Sequence, residues 1–385
     1  DDVKIVSIKH NNLFIPVNRI IKGFKKSKYQ PIVLKTIING IADNKIEITT
    51  EYKGNIRYRK NGISLISEPY LNPLTDLNPL NGEFIKEVTP GHWVIKKGNW
   101  RIDEPLVIDG SLSVEAGTKI IFDDNSYLIV QGNLFAKGNI DERILFSTDS
   151  YWKGIYVLGD DKSESILNYV DVKKTGALSD GLLKLTGGIN FYNSNVTIAN
   201  SNFDETTAED ALNIVNSVFE IYNLNINGTV SDAFDADFST GIINNSIFTN
   251  IGGDAIDVSG SKVNVRDVIF KNIKDKALSV GEASNVTAKN LNIEKVGVGI
   301  ASKDGSSVHA TNIFIKNYFF KALMTYVKKD FYAQPILLGK EIQIEPMMLD
   351  SFVAQKGTTM TINGYRIIST EVNVEDLYNS KIMKK

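Results

Sequence analysis

The stretch "SDAFDADFSTGIINNSIFTNIGGDAIDVSG", from Ser231 to Gly260, contains one short pattern twice. Its segments "DAFDADFS" and "DAIDVSGS" align with "DALNIVNS" before them and "KALSVGEA" after them. Two columns of residues then recur every 22 or 23 positions: Ala211, Ala233, Ala255 and Ala277, and Asn223, Asn245, Asp267, Asn290 and Asn312. Columns that share one period predict a repeat array rather than a single compact core.

Within each repeat the apolar residues alternate with polar ones. Phe234, Ala236 and Phe238 alternate in one repeat, and Ile256 and Val258 in the next. A period of two is typical of β-strands, and helical repeats of about 33 to 45 residues are too long for this spacing. The pattern therefore predicts a parallel β-helix, in which the strands of successive turns stack about 4.8 Å apart.

We expect the asparagine column to be structural. Stacked asparagine side chains inside a β-helix can hydrogen-bond to one another and to the backbone. Asn245 is then predicted to lie in a ladder inside the coil.

Part of the chain resembles a known superfamily. The segments "DNSYLIVQGNLFAKG", "ERILFS" and "WKGIYV" resemble the first turns of bacterial right-handed parallel β-helix proteins of the pectin-lyase-like superfamily, and the likeness covers roughly residues 93–320. The resemblance implies an all-β chain built as a right-handed parallel β-helix with turns of about 22 residues. It implies little about activity, because this fold carries many functions.

The ends of the chain lack the period. Residues 1–88 alternate in short segments and include the turn-rich "EPYLNPLTDLNPLNG", so they predict an N-terminal β domain and a linker. Residues 89–320 form the predicted β-helix. A solenoid exposes its last turn unless something covers it, and residues 321–385 are predicted to be a C-terminal β-rich cap.

Composition restricts the function classes. The net charge of −2 does not suggest a nucleic-acid partner, and no apolar run of about 18 residues predicts a membrane span. The chain has no cysteine, so disulfides and thiolate metal sites are excluded. It begins at Asp1 without Met or a signal peptide, as a processed chain or a piece of a longer one would. Together with the resemblance, these features predict a secreted, periplasmic or bacterial cell-surface protein.

The acidic residues of the opening stretch have three interpretations. If Phe234 and Ala236 face the core, Asp235 and Asp257 stack on the outer side, with Asp237 in the next column. Outward aspartates can simply keep the surface soluble, and those before each strand, Asp232 and Asp254, can shape turns. Asp235, Asp237 and Asp257 could instead bind Ca²⁺ through hard oxygen ligands. Alternatively the carboxylates are catalytic, with Asp235, Asp257, Asp232 and Asp254 as candidates.

The catalytic interpretation has a second resemblance behind it. The run resembles the polygalacturonase family of β-helix glycosidases, in which carboxylates on successive coils act as acid and base. Asp232 and Asp254 fall at the positions of two of its acidic motifs. Gly253 stands where that family has a further aspartate, and Lys276 stands where it has a histidine. The arginine-x-lysine motif that grips the substrate carboxylate is also missing, so the resemblance implies hydrolysis only weakly.

The sequence therefore predicts a non-catalytic surface module that binds polysaccharide or a protein partner. The alternative is a polysaccharide-active enzyme that uses the acidic residues as a uronate lyase, an epimerase or a glycoside hydrolase. A lyase or epimerase needs a base beside the substrate, and no base stands at a suitable spacing among Lys184, Lys262, Arg266 and Lys271.

An aromatic cluster offers a second binding surface. Tyr151, Trp152 and Tyr156 lie close together in sequence, and exposed rings stack on sugar faces. The same rings could instead fill the core, and this alternative stays open at this point.

Overall fold

The computed structural model describes residues 2–10, 13–21, 45–62, 82–160, 163–180 and 183–379. The chain divides into two compact units, Asp1–Asn72 and Pro73–Lys385. The first contains an antiparallel sheet of the order β2-β1-β3-β4. Its strands are β1 (Val3–His10), β2 (Leu13–Ile21), β3 (Lys45–Tyr52) and β4 (Asn55–Gly62). Most of the predicted linker lies outside the described residues.

The second unit is a coil with three strand-bearing faces. On face 1, each strand pairs in parallel with its equivalent on the next turn. The strands that begin on face 1 are β6 (His92–Ile95), β9 (Ser111–Val114), β12 (Leu134–Lys137), β15 (Glu164–Asn168), β20 (Asn195–Thr206), β22 (Val218–Thr229), β24 (Thr240–Asn244), β27 (Lys262–Gly281), β28 (Asn285–Lys303), β29 (Ser307–Tyr326), β30 (Ile336–Glu345) and β32 (Thr359–Ile362).

Faces 2 and 3 follow in the same order on every turn. Strands β20, β22 and β30 continue from face 1 onto face 2, and β27, β28 and β29 run through all three faces. The other strands of face 2 are β7 (Asn99–Ile102), β10 (Lys119–Phe122), β13 (Ile144–Ser147), β16 (Val170–Lys173) and β25 (Ile247–Ile251). The other strands of face 3 are β8 (Leu106–Ile108), β11 (Leu128–Val130), β14 (Ile155–Leu158), β19 (Gly187–Tyr192), β21 (Asp210–Val215), β23 (Asp232–Asp237), β26 (Ile256–Ser259) and β31 (Phe352–Ala354).

This architecture is the parallel β-helix that the repeat predicts, with the right-handed sense that the resemblance implies and about 12 turns of about 23 residues. Right-handed connections between parallel strands are the rule, because the twist of the strand packs the chain back onto the sheet only in that sense. Some turns are longer than predicted: Phe135 pairs with Ile166, which is 31 residues further on. The period of 22 therefore holds best in the central turns.

The remaining elements lie beside the coil or near its ends. Strand β5 (Ile85–Thr89) pairs antiparallel with β6, and β33 (Tyr365–Arg366) pairs antiparallel with β32. Strands β17 (Leu178–Asp180) and β18 (Leu183–Leu185) form an antiparallel pair of their own, and helix α1 (Val374–Tyr378) follows the last strand. No helix in the described ranges has the length and apolar content that crossing a membrane requires.

Parallel stacking continues beyond residue 320. Strand β30 pairs with β29 and then with β32, and β31 pairs with the last part of β29. The segment predicted as a β-rich cap therefore contains further coil strands. The boundaries predicted at residues 88 and 320 stay predictions.

The core lies inside the coil and is formed by the inward side of each strand. Phe234, Ala236, Ile256 and Val258 belong to it and are completely buried. Phe238 departs from the predicted alternation: it is 62% exposed and has a φ of 51°. Strand β23 ends at Asp237, and the bend turns the next side chain outward.

Ladders at the bends hold successive turns together, but the buried ladder consists of serines. The backbone N–H of Ser217 donates to Oγ of Ser239, and the N–H of Ser239 donates to Oγ of Ser261, at 3.1 and 2.9 Å. These side chains are buried, so each hydroxyl satisfies a backbone group that water cannot reach. A recurring serine therefore holds each turn to the next.

The asparagine ladder is real, but it lies at the surface, which corrects the expectation that Asn245 lies inside the coil. Asn312 donates to Asn290, and Asn290 donates to Asp267, at 2.9 and 2.7 Å. Each residue in the column has a positive φ, 51° at Asn245 for example. Asparagine tolerates this left-handed conformation better than most residues, and the bend that requires it faces solvent.

Candidate functional site

The acidic residues of the opening stretch lie on the outer side of face 3. Asp235 pairs in register with Asp257, and Asp237 with Ser259, as the alternation predicts. All four side chains are partly exposed, whereas their strand neighbours Phe234 and Ala236 are buried. We call Asp235, Asp237 and Asp257 the acidic strip.

Asp232 and Asp254 precede the strip and are almost completely buried, with exposures of 2% and 1%. Oδ1 of Asp232 accepts a hydrogen bond from the backbone N–H of Asp254 at 2.8 Å. Oδ1 of Asp254 accepts one from the backbone N–H of Lys276 at 2.9 Å. Each carboxylate thus holds the beginning of the next strand, a role close to the turn-shaping interpretation.

Lys276 supplies a buried positive charge in the same column. Its Nζ lies 3.2 and 3.4 Å from the two carboxylate oxygens of Asp254 and 2.7 Å from Oδ2 of Asp275, and the side chain is 2% exposed. Burial alone would lower the pKa of Lys276, but the two carboxylates outweigh it and raise the pKa. Burial and the charge of Asp254 raise the pKa of Asp275 to about 7, against the opposing effect of Lys276.

A second buried lysine approaches the acidic strip itself. Nζ of Lys303 lies 3.7 Å from Oδ1 of Asp257, which is buried and has no hydrogen-bond partner among the described residues. Burial opposes the charge of Lys303, yet its pKa is raised, chiefly by Asp257. Both lysines therefore stay protonated at neutral pH. Neither is suited to act as a base.

Two carboxyls of the strip, Asp235 and Asp237, hold protons more strongly than ordinary aspartates. Burial first, and then the charges of Asp257 and Asp237, raise the pKa of Asp235 well above its usual value. Burial and the charge of Asp257 raise the pKa of Asp237 to about 6. Like charges a few ångströms apart disfavour each other's ionisation. The strip thus combines two carboxyls of raised pKa with Asp257, which lies beside the ammonium of Lys303.

Two apolar covers lie on the outer side of face 3, one on each side of the strip. On the N-terminal side, Leu178 and Leu183 of the β17–β18 pair cluster with outward residues of β8, β11 and β14, namely Val107, Ile129, Tyr156 and Leu158. On the C-terminal side, Val374, Leu377 and Tyr378 pack against a cluster of Val298, Ala301, Met324 and Tyr326. The floor between these covers is formed by β21, β23 and β26, and we call it the trough.

The predicted metal trio is not the one that the structure brings closest. Among the described residues, Asp232, Asp254 and Asp257 place carboxylate oxygens within 4.8 Å of one another, so only Asp257 is common to both sets. Lys276 already contacts both oxygens of Asp254, and its ammonium would compete with a divalent ion there. The residues fit Ca²⁺ poorly, and calcium binding stays a prediction.

The predicted aromatic surface needs a correction. Trp152 is completely buried and stacks on Phe122 with ring centroids 3.9 Å apart. Tyr156 is also completely buried, beneath the β17–β18 pair. Only Tyr151 is exposed, at 43%. Core filling, the alternative that the sequence left open, accounts for the other two rings, which have no face available to a sugar.

Sequence reasoning placed the acidic strip but missed the two lysines. Lys276 follows Asp254 in the column that precedes the alanines, so the repeat alignment itself contained the signal. Lys303 pairs with Asp257 across two turns and gives no local signal. The β17–β18 pair and α1, which cover the ends of face 3, belong to no repeat.

No protein-family model and no curated protein matches the chain. Solved structures do match it. A mutant of the periplasmic alginate epimerase AlgG is 11% identical, with 70% of this chain and 79% of that one covered and a TM-score of 0.37. The catalytic unit of a GH87 alpha-1,3-glucanase from Streptomyces thermodiastaticus is 10% identical, with 69% and 63% covered and a TM-score of 0.35.

A third match is the enzymatically active domain of tailspike protein 2 of bacteriophage CBA120. It is 9% identical, with 68% of this chain and 51% of that one covered and a TM-score of 0.30. At such values the matches decide nothing about activity. The chain's own strand pairing identifies it as a right-handed parallel β-helix protein.

Proposed function

We propose that this protein is a glycoside hydrolase that cleaves uncharged glycan chains in the trough on face 3. The observation that carries the proposal is the pair Asp235 and Asp257 on adjacent strands. Asp235 is a carboxyl whose pKa is raised well above its usual value, and Asp257 lies beside the ammonium of Lys303. Glycoside hydrolysis needs a pair of carboxyl groups, one of which holds the proton that it donates to the leaving group.

The two residues take different parts in the proposed reaction. Asp235 donates its proton to the glycosidic oxygen as the bond to the anomeric carbon breaks. The carboxylate of Asp257 attacks that carbon. Before the attack, the ammonium of Lys303 stabilises the negative charge of Asp257. Water deprotonated by Asp235 then releases the sugar from Asp257 and restores both groups.

The strand spacing suggests the stereochemistry. Residues on adjacent strands lie about 4.8 Å apart, which is nearer the roughly 5–5.5 Å of retaining enzymes than the wider separation of inverting ones. We therefore expect the anomeric configuration to be retained.

A lyase or epimerase fits the trough less well. Such a reaction needs a neutral base to remove a proton beside the uronate carboxylate. Lys276 and Lys303 both have raised pKa values, and burial raises the pKa of Tyr326 as well. The segment Leu185–Ser261 also lacks lysine and arginine. Strands β21, β23 and β26 of the floor therefore supply no cation that could bind the carboxylates of a polyuronate.

The proposed substrate also bears on location. Polymeric glycans are encountered mainly outside the cytoplasm, so the proposal includes a secreted, periplasmic or cell-surface protein. A protein that binds such glycans without cleaving them would be the non-catalytic module that the sequence predicts, and the experiment separates the two.

The test is an assay of reducing ends released from glucans, mannan, xylan, polygalacturonate and alginate. Asp235→Asn and Asp257→Asn keep the side-chain shape and should each lower the rate about 10²- to 10⁴-fold. Asp141→Asn, an exposed aspartate far from the trough in sequence, is the matched control and should leave the rate unchanged. Unsaturated products from the uronate polymers would overturn the hydrolase in favour of a lyase.

A further inference from the structure

A groove with a volume of about 490 Å³ lies at the bend between faces 2 and 3. Asn250, Gly252, Asn272, Lys274 and Phe319 contribute to its lining. None of them belongs to the acidic strip or to the predicted aromatic cluster. The groove is therefore a feature that the proposed reaction does not use.

The repeat explains why a groove forms there. Ile251 pairs with Ile273, so the residues after them, Gly252 and Lys274, hold equivalent positions on successive turns. Gly252 has no side chain, and a Cβ at this position would lie 2.1 Å from the carbonyl oxygen of Val230. A side chain is sterically excluded at this turn but present on the next, which leaves a gap beside Lys274.

The groove presents groups that are free to bind a ligand. The side-chain amide of Asn272 donates to Oδ1 of Asn250 at 2.7 Å, while its own Oδ1 accepts no hydrogen bond from the described residues. Lys274 is exposed and forms no ion pair with the residues that the structure describes. Phe319 is 63% exposed. A ring face, an amide oxygen and an ammonium are complementary to the apolar face and the hydroxyls of a sugar.

The groove lies close to the trough along the chain. Gly252 lies two residues before Asp254, and Lys274 lies two residues before Lys276. We infer that the groove is a second carbohydrate-binding subsite, in which a pyranose ring stacks on Phe319 and hydrogen-bonds to Asn272 and Lys274. The inference rests on the proposed function and assigns to this groove the sugar units beyond those that react.

The test measures binding to an inactive form of the protein. Isothermal titration of the Asp235→Asn variant uses cellohexaose, laminarihexaose, maltohexaose and hexagalacturonate, together with the disaccharide of each. For whichever hexasaccharide binds, adding Phe319→Ala should lower the affinity roughly two- to tenfold, which is the usual contribution of an aromatic contact. The corresponding disaccharide is too short to fill both sites, so its affinity should fall less.

Two further variants make the result specific. Phe331→Ala removes another highly exposed ring, 77% exposed, and should leave the affinity unchanged. Phe319→Tyr keeps the ring face and should preserve binding. Equal affinities for Phe319→Ala and Phe331→Ala, or no binding of any hexasaccharide, would overturn the subsite.

The subsite and the proposed hydrolysis can fail separately. A Phe319-dependent loss of binding in a protein that cleaves no glycan supports the groove and refutes the enzyme. If Asp235→Asn abolishes cleavage but Phe319→Ala does not change the binding affinity, the enzyme is supported and the role of the groove as a subsite is refuted. Phe319-dependent binding of hexagalacturonate alone supports the groove but refutes the preference for uncharged glycans.

Discussion

Replacing Lys276 by methionine should destabilise the protein strongly. Methionine has a similar length but no charge, so Asp254 and Asp275 would lose the ammonium that lies 2.7 to 3.4 Å from their oxygens. All three side chains are almost completely buried. Removing one partner of a buried ion pair leaves an uncompensated charge and typically costs about 3–5 kcal/mol. We expect the free energy of unfolding to fall by about that amount.

A surface pair provides the matched control. Nζ of Lys356 lies 2.6 Å from Oε1 of Glu371, but the two side chains are 71% and 80% exposed. Exposed pairs contribute little to stability because water and salt screen them. Urea unfolding of Lys356→Met should therefore differ little from wild type, although the chemical change is identical.

A third variant tests the physical reason. Asp254→Asn/Asp275→Asn/Lys276→Met removes the whole charged network and keeps an amide oxygen that can accept the backbone N–H of residue 276. Replacing every charge of a buried network often changes the free energy of unfolding little, so part of the lost stability should return. If Lys276→Met unfolds at the same urea concentration as Lys356→Met, the buried network does not stabilise this fold.

Three further predictions concern the strip and the ladders. The pKa of Asp237 is raised to about 6 in the folded state, which therefore binds more protons than the unfolded state between about pH 4 and 6. The unfolding free energy should fall as the pH rises through this window, and urea titrations of Asp237→Asn should show a flatter profile; parallel profiles would contradict this. Ser239→Ala leaves the buried N–H of Ser217 unsatisfied and should cost about 1–3 kcal/mol in urea unfolding, whereas an exposed serine such as Ser150→Ala should cost much less. Millimolar CaCl₂ should leave the Tm unchanged because the ammonium of Lys276 already contacts the carboxylate of Asp254. A rise in Tm that Asp257→Asn abolishes would instead establish a calcium site.

The periodic part of the fold could be predicted because each turn repeats the same physical problem. Alternation decides which side chains enter the coil, and the 22-residue step decides which residues meet on adjacent turns. The pairing of Asp235 with Asp257 follows from these two facts and is confirmed. The serine ladder has an equally regular spacing at Ser217, Ser239 and Ser261. An internal ladder was predicted for the asparagine column, and the serine one was not predicted.

The non-periodic part could not be predicted in the same way. Whether Tyr156 is a binding surface or part of a core depends on the β17–β18 pair that covers it. That pair arises from an insertion in a single turn, so no column in the sequence marks it. Similarly, α1 lies on face 3 through contacts of Val374, Leu377 and Tyr378 with strands more than 45 residues away. Such covers decide how exposed a site is, and the repeat pattern does not predict them.

The acidic stretch also shows how charge must be counted in a solenoid. The thirty residues from Ser231 to Gly260 contain five aspartates and no cation, which in a sequence window suggests either an exposed surface or a bound metal. In three dimensions the nearest neighbours of a side chain lie one turn away, so the relevant window is the column. Lys276 and Lys303, one and two turns later, bring their ammonium groups to Asp254 and Asp257. The protein thus provides its own cations for Asp254 and Asp257, whereas Asp235 and Asp237 are the aspartates of the stretch whose pKa values are raised.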